Sequence, residues 1–258
     1  MANFSLLCRR IKGTWVNLVI DIGNTAAKMA VFERGILVET FHGNNHSLTD
    51  LPEIAKKYPL QKGVIASTIT LTDDIRAQLD AIGINMLHVN SETPIPVTNL
   101  YKTPQTLGMD RLAAVIGANE LKPETDLLVV DAGTCITYDF LNAKGEYLGG
   151  NISPGINMRL KALHKFTDKL PLVAPEGEAP VWGDTTETAI RAGVINGIAL
   201  EIEGYIQRAK EKYPSLVVFL TGGDGLAFDT NKRNDILTDK FLVLKGLNRI
   251  LNYNDTPS

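Results

Sequence analysis

Cysteine is almost missing from the 258 residues: Cys8 and Cys135 are the only two. They are too few and too differently placed for a disulfide framework. Cys135 reads as a small buried residue, not a nucleophile. No apolar run approaches the roughly 20 residues needed to span a bilayer, so no membrane partner is expected. Neither sign of charge dominates: 26 Lys and Arg stand against 29 Asp and Glu, a formal net charge of −3. With a pI near 5.8, this argues against a nucleic-acid partner, which would want a basic face. The four histidines, His42, His46, His88 and His164, are scattered without ligand spacing, and no zinc site is expected. Walker A and G-x-G-x-x-G signatures are both absent, so the folds marked by those phosphate loops lack their signatures here. There is no low-complexity linker, and the cytoplasm is the natural compartment.

What is present is a repeated local design. Residues 16–32, VNLVIDIGNTAAKMAVF, hold an apolar run that stops at Asp21 and a second that begins at Met29, a β-hairpin pattern. Gly23 and Asn24 tolerate positive φ, so the turn can aim successive backbone N–H groups at one point and bind an anion. Asp21 beside such a turn would repel phosphate unless a divalent cation lay between them, while Thr25 and Lys28 add a hydroxyl and a positive charge. The stretch therefore reads as a Mg-nucleotide cradle, with an ordinary hairpin turn as the alternative. Residues 127–140, LLVVDAGTCITYDF, repeat the design with Asp131, Gly133 and Thr134. A third buried-type strand, 216–225, runs into Gly222 and Gly223, where a loop can pass close to a ligand. The trio resembles the acetate and sugar kinase, heat-shock ATPase and actin superfamily. That resemblance implies an α/β protein of two ribonuclease H-like domains, the actin-like ATPase fold, with an ATP cleft between them. Its expected division is 16–118 and 119–258, preceded by an extension over 1–15 expected to be disordered.

The remaining pattern fills in this frame. Residues 35–41 extend the first sheet, helices are predicted over 49–58 and 72–81 with a buried strand at 63–67 between them, and Pro94 and Pro96 force extended chain. A helix from 156 to 166 should face Ile156, Leu160, Leu163 and Phe166 inward. Asp184 and Glu187 suggest the start of a long helix reaching Lys212, whose Gly193 and Gly197 would let another helix pack tightly. Phe241, Leu242, Val243 and Leu244 read as a last strand, and 252–258 as a frayed tail.

Gly108, Met109, Asp110 and Arg111 open a helical stripe that runs to Glu120. By residue type, Asp110 is a helix-terminus residue and Arg111 is solvated. The spelling Tyr-x-x-Pro-x-x-x-Gly-x-Asp-Arg from Tyr101 resembles the substrate loop of the type III pantothenate kinases. Further pieces align in order: D-x-G-N-T at 21–25, D-A-G-T at 131–134, G-G-N-I-S-P-G at 149–155, Leu170-Pro171, G-D-T-T-E-T-A at 183–189, and Thr221-Gly222-Gly223. The resemblance covers residues 16 to about 247. Members commonly have Ala where Cys135 stands, and they begin near Val16, so the upstream residues read as an over-called start.

The resemblance implies ATP-dependent phosphorylation of pantothenate to 4'-phosphopantothenate, the first step of coenzyme A biosynthesis. It assigns ATP contacts to Asp21, Ile22, Gly23, Asn24, Thr25, Ala26, Ala27, Lys28 and Thr134. Mg²⁺ would be held by Asp21 through water, and a monovalent cation, K⁺ or NH₄⁺, by Asp131. Tyr101, Gly108, Met109, Asp110, Arg111 and Thr186 would surround pantothenate, with Asp110 as catalytic base, in a homodimer. The alternatives are an ATP-binding regulatory protein and a phosphatase of the same superfamily, since fold alone does not fix function.

Overall fold

The computed structural model describes residues 16–223 and 236–255. The extension over 1–15, the polar stretch after Asp229 up to residue 235 and the last three residues lie outside them.

The first sheet grows from the predicted hairpin. Strand β1 (Val16–Ile22) pairs antiparallel with β2 (Ala27–Glu33), placing Asp21 opposite Lys28, and β3 (Ile36–Gly43) continues the meander. Helix α1 (Leu51–Lys57) leads to β4 (Lys62–Ser67), which lies parallel to β1; α2 (Asp73–Ala81) and β5 (Asn85–His88) complete the order β3-β2-β1-β4-β5. Thr72 caps α2, its Oγ1 accepting from Ile75 N at 3.2 Å. Strand β1 is apolar except at Asn17 and Asp21 because both its faces are covered. Leu18, Ile20 and Ile22 pack with Leu51, Ile54, Ile75 and Leu79 of the two helices, while Val19 faces a different core.

The second sheet repeats the plan. After the short β6 (Thr98–Asn99) and helix α3 (Met109–Leu121), β7 (Leu127–Ala132), β8 (Cys135–Leu141) and β9 (Glu146–Pro154) form an antiparallel meander. Helices α4 (Ile156–Lys165) and α5 (Thr186–Lys212) follow. Strand β10 (Val217–Thr221) then lies parallel to β7, and β11 (Ile236–Thr238) lies beyond it. The order is β11-β10-β7-β8-β9-β6. Ile190, Val194, Ile198, Ile202 and Ile206 give α5 one buried stripe against this sheet.

Several expectations are corrected. Residues 242–244 are the first turn of a helix, α6 (Leu242–Asn254), and not a strand. A four-residue apolar run carries no period of its own, whereas buried Leu242, Val243, Leu247, Ile250 and Leu251 together repeat as a helix face. The chain is still ordered at 252–254: Asn17 Nδ2 of β1 donates to Asn248 Oδ1 at 2.7 Å and to Asn252 Oδ1 at 3.0 Å. Phe166 is 80% exposed just beyond α4. Helix α5 starts one residue later than Asp184 suggested: Thr185 and Thr188 cap each other reciprocally, Thr188 N donating to Thr185 Oγ1 at 3.1 Å and Thr185 N to Thr188 Oγ1 at 3.0 Å. Among the described residues nothing lies within 4 Å of a Cβ placed at Gly193 or Gly197.

The close helix pair is instead α3 with α6, between the two sheets. A Cβ on Gly246 would lie 1.7 Å from Ala113 O, and one on Gly117 2.2 Å from Leu242 O. Here the backbones touch, and only glycine fits at both positions. Among the described residues no helix is long and apolar enough to cross a membrane.

Candidate active site

Each hairpin is held in shape by residues outside it. In the first, Gly23 N donates to Ala26 O at 3.0 Å. The buried Asn45 ties the turn down from behind, its Nδ2 donating to Asn24 O at 2.7 Å and Gly23 O at 3.3 Å. Asn24, Thr25 and Ala26 are exposed and Lys28 is half-buried, whereas Ile22 and Ala27 are fully buried and can offer a ligand only backbone. In the second, Gly155 N donates to Thr134 O at 3.1 Å. A Cβ on Gly155 would lie 2.1 Å from Gly133 O, and one on Gly222, at φ +109°, 2.1 Å from Ala132 O. The glycines of both later motifs thus brace the second hairpin. Cys135, expected to be buried, is half-buried as a free thiol at the start of β8.

The two turns meet: Thr25 Oγ1 and Thr134 Oγ1 are 3.0 Å apart. Acid groups gather at the same place. Burial pushes the Asp21 carboxyl up to about 7, with the charges of Asp110 and Asp131 adding to the rise and Lys28 opposing it. Asp110, at the start of α3, is thus one of the charges felt at Asp21 of the first hairpin. Asp110 itself is raised above the ordinary aspartate value, first by burial and then by the Asp139 charge, against hydrogen bonding and charge from Arg111.

Asp110 is not the helix cap. Gly108 occupies that position without a side-chain bond, and Asp110 Oδ1 accepts from Arg111 N at 2.9 Å. A Cβ on Gly108 would lie 2.3 Å from that Oδ1, so the glycine leaves room for the carboxylate. Nor is Arg111 solvated. It is 7% exposed and forks onto Asp139: Nε donates to Oδ1 at 3.0 Å and Oδ2 at 3.2 Å, and Nη2 to Oδ1 at 2.7 Å. Tyr147 O–H donates to the same Oδ1 at 2.7 Å. The Tyr101 ring lies 6.2 Å from that of Tyr147, and Gly149, at φ +112°, passes beside Tyr101. Met109 packs on the core.

Thr186 is elsewhere. It lines a groove of about 860 Å³ between α4 and α5 with Arg159, Leu163, Phe166 and Gly193, and none of the residues around Asp110 lines that groove. Sequence reasoning missed Asn45, Asp139 and Tyr147. The available signal was Asp139 itself, the one charge in the seven residues of β8.

Two sheets of one plan, joined by a helix pair and meeting at opposed hairpin turns, define the actin-like ATPase fold of two ribonuclease H-like units. A Listeria monocytogenes protein described as an N-acetylmannosamine kinase shares that fold at a TM-score of 0.51 and 13% identity, over 93% of this chain and 100% of its own. A Campylobacter jejuni protein described as a Baf family transcriptional activator superposes at a TM-score of 0.58 and 25% identity, over 92% of this chain and 98% of its own. The family profile described as type III pantothenate kinase matches residues 17–208. Proteins named type III pantothenate kinase from Phocaeicola vulgatus and Bacteroides fragilis are 62% and 56% identical over 240 residues, 93% of this chain and 99% of theirs. The chain belongs to the type III pantothenate kinase family.

Proposed function

We propose that this chain transfers the γ-phosphoryl group of ATP to the terminal hydroxyl of pantothenate, giving 4'-phosphopantothenate and ADP. The observation that carries the reading is the contact of the two hairpin turns at Thr25 and Thr134, beside which the Asp21 carboxyl is raised by burial and by the charges of Asp110 and Asp131. Two carboxylates belong to paired phosphate turns, and the third arrives from a separate helix. The backbone of 21–28, with Asn24, Thr25, Lys28 and Thr134, cradles the phosphates. Tyr101, Gly108, Met109 and Arg111 receive the acceptor. Its hydroxyl oxygen bonds to the γ-phosphorus as the bond to the β-phosphate oxygen breaks, and Asp110 takes the hydroxyl proton. Burial makes Asp110 a stronger base than an exposed aspartate, and it also orients the hydroxyl.

Among the described residues no three His, Cys, Asp or Glu side chains form a group that could hold a metal ion by themselves. This donor set suits an ion that completes its shell with water and phosphate oxygens, as Mg²⁺ does. Asp21 would hold Mg²⁺ through water, and Asp131 a K⁺ or NH₄⁺ ion. When bound, these cations neutralise charge on the phosphates. The reading further takes the units to divide along α3 and the protein to be a cytoplasmic homodimer. Support for the dimer comes from exposed Phe166, Leu172, Val181 and Trp182 on the segment joining α4 to α5 and from the uncovered Gly193 and Gly197. A second copy there would also cover Thr186.

ADP release, measured with and without pantothenate alongside mass detection of the phosphorylated product, tests the reading. Release that needs pantothenate and yields product is expected. Release indifferent to pantothenate would overturn it.

A further inference from the structure

The Arg111–Asp139 pair is buried on both sides, at 7% and 1% exposure, and such a pair is weak support for stability. Desolvating two charges consumes most of their attraction, and apolar residues of the same volume often serve a core as well. The pair therefore calls for another explanation, and its surroundings supply one. Arg111 follows Asp110 directly at the start of α3. Asp139 binds its guanidinium through Nε and Nη2, leaving Nη1 outside the fork, and is itself fixed by the Tyr147 hydroxyl. Gly150 gives this cluster its space: a Cβ there would lie 2.8 Å from Asp139 Oδ1 and 1.8 Å from Tyr138 O. Arginine is a long side chain whose freedom must be removed before it can recognise an anion well, and a bidentate carboxylate behind it does that.

We propose that Asp139 is a positioning residue for the acceptor substrate, holding Arg111 so that the free edge of its guanidinium meets the carboxylate or amide oxygens of pantothenate. This rests on the proposed function, in which Arg111 contacts the acceptor. Asp139 acts from behind Arg111 and touches neither substrate. Because Asp139 also balances the arginine's charge, what it contributes is geometry and not net attraction. Binding of the acceptor should suffer more than chemistry when it is altered, and ATP binding should not suffer at all.

The experiment compares wild type, Asp139→Asn, Tyr147→Phe, Arg111→Lys and the double variant Arg111→Lys/Asp139→Asn for pantothenate KM, ATP KM, kcat and melting temperature. Asp139→Asn is expected to raise pantothenate KM about tenfold to a hundredfold, the usual size for losing a hydrogen bond to a charged group, with ATP KM steady. Lysine cannot reproduce the fork, so Arg111→Lys should match it, and the double variant should be little worse than either single one because the two residues act as one device. Tyr147→Phe should raise pantothenate KM several-fold at an unchanged melting temperature. A lowered melting temperature with unchanged pantothenate KM would make the pair structural only and overturn the proposal. If Asp139→Asn does not fold, a folded Tyr147→Phe with wild-type KM overturns it equally. A wild-type protein that does not phosphorylate pantothenate would fail the functional reading first, and the role of Asp139 with it.

Discussion

Thr25 and Thr134 stand 109 positions apart in the chain, yet their hydroxyl oxygens are 3.0 Å from each other. Each comes from the exposed turn of a hairpin whose strands are buried, so the contact is a meeting of two rigid units at their tips. A phosphate chain entering there would replace one hydroxyl–hydroxyl bond by two hydroxyl–phosphate bonds, which are stronger because the acceptor is charged. Thr25→Val and Thr134→Val keep the shape and remove the donors. Each should raise ATP KM roughly tenfold or more, with the melting temperature of the unliganded protein unchanged because the bond is exposed. Calorimetric titration with ATP checks this, and an unaltered affinity in both variants would remove the threonines from the cradle.

Asp110→Asn separates base from bystander. Asn keeps the size and the acceptor for Arg111 N but cannot take a proton. Since Gly108, and not Asp110, is the cap of α3, no loss of helix capping is expected. The catalytic rate should fall by roughly two to four orders of magnitude, while ATP affinity and melting temperature hold. Near-normal turnover would leave the proton acceptor to another group.

The hairpins were legible because their signal is local: an apolar strand, an aspartate, small turn residues and a second strand, spelled within about fifteen residues. Gly222 was likewise readable as a place of close approach, though what it approaches, the backbone of the second hairpin, was not. What the sequence hid was long-range pairing. Arg111 read as a solvated cation because its partner Asp139 comes 28 residues later on another element. Residues 242–244 read as a strand because their run is too short to show a period. Phe166 read as core by extending a helical stripe one residue past the end of α4, and Asn45 carried no pattern linking it to the turn it secures.

Asp21 should couple the stability of the empty protein to pH. Its carboxyl is raised from 3.8 to about 7 in the folded chain, so the folded state holds that proton more tightly than the unfolded one. The sign follows: its favourable contribution is complete below about 3.8, the unfolded value, and is lost as pH rises through about 7. Without nucleotide or divalent cation, Asp21→Asn should therefore gain melting temperature over wild type at pH 8 and much less at pH 5. Each kcal/mol relieved corresponds to about 2–4 °C for a chain of this size. Thermal scans in a chelating buffer at the two pH values measure it, and an equal shift at both would show that Asp21 is not desolvated in the empty cleft.

The contact of Gly117 and Gly246 ties stability to catalysis. Alanine at Gly246 would place its Cβ 1.7 Å from Ala113 O, backbone that cannot rotate away, so α3 and α6 must separate. Overpacking of this kind costs about 1–3 kcal/mol and sometimes more, and Gly117→Ala should behave alike. Gly204 on α5 has nothing near its Cβ position and serves as a control: alanine there should be neutral or stabilising by about 0.5–1 kcal/mol through helix propensity. The consequence for activity is sharper. Helix α3 carries Asp110 and Arg111 at its start, while α6 packs on β1 and β4 of the first sheet, so moving one helix against the other shifts the base relative to the phosphate cradle. Misplacement by about 1 Å can cost a hundredfold in rate. Gly246→Ala and Gly117→Ala should thus lose turnover at temperatures where circular dichroism shows them fully folded. If activity instead follows the folded fraction alone, the helix pair supports the fold without setting the geometry of the site.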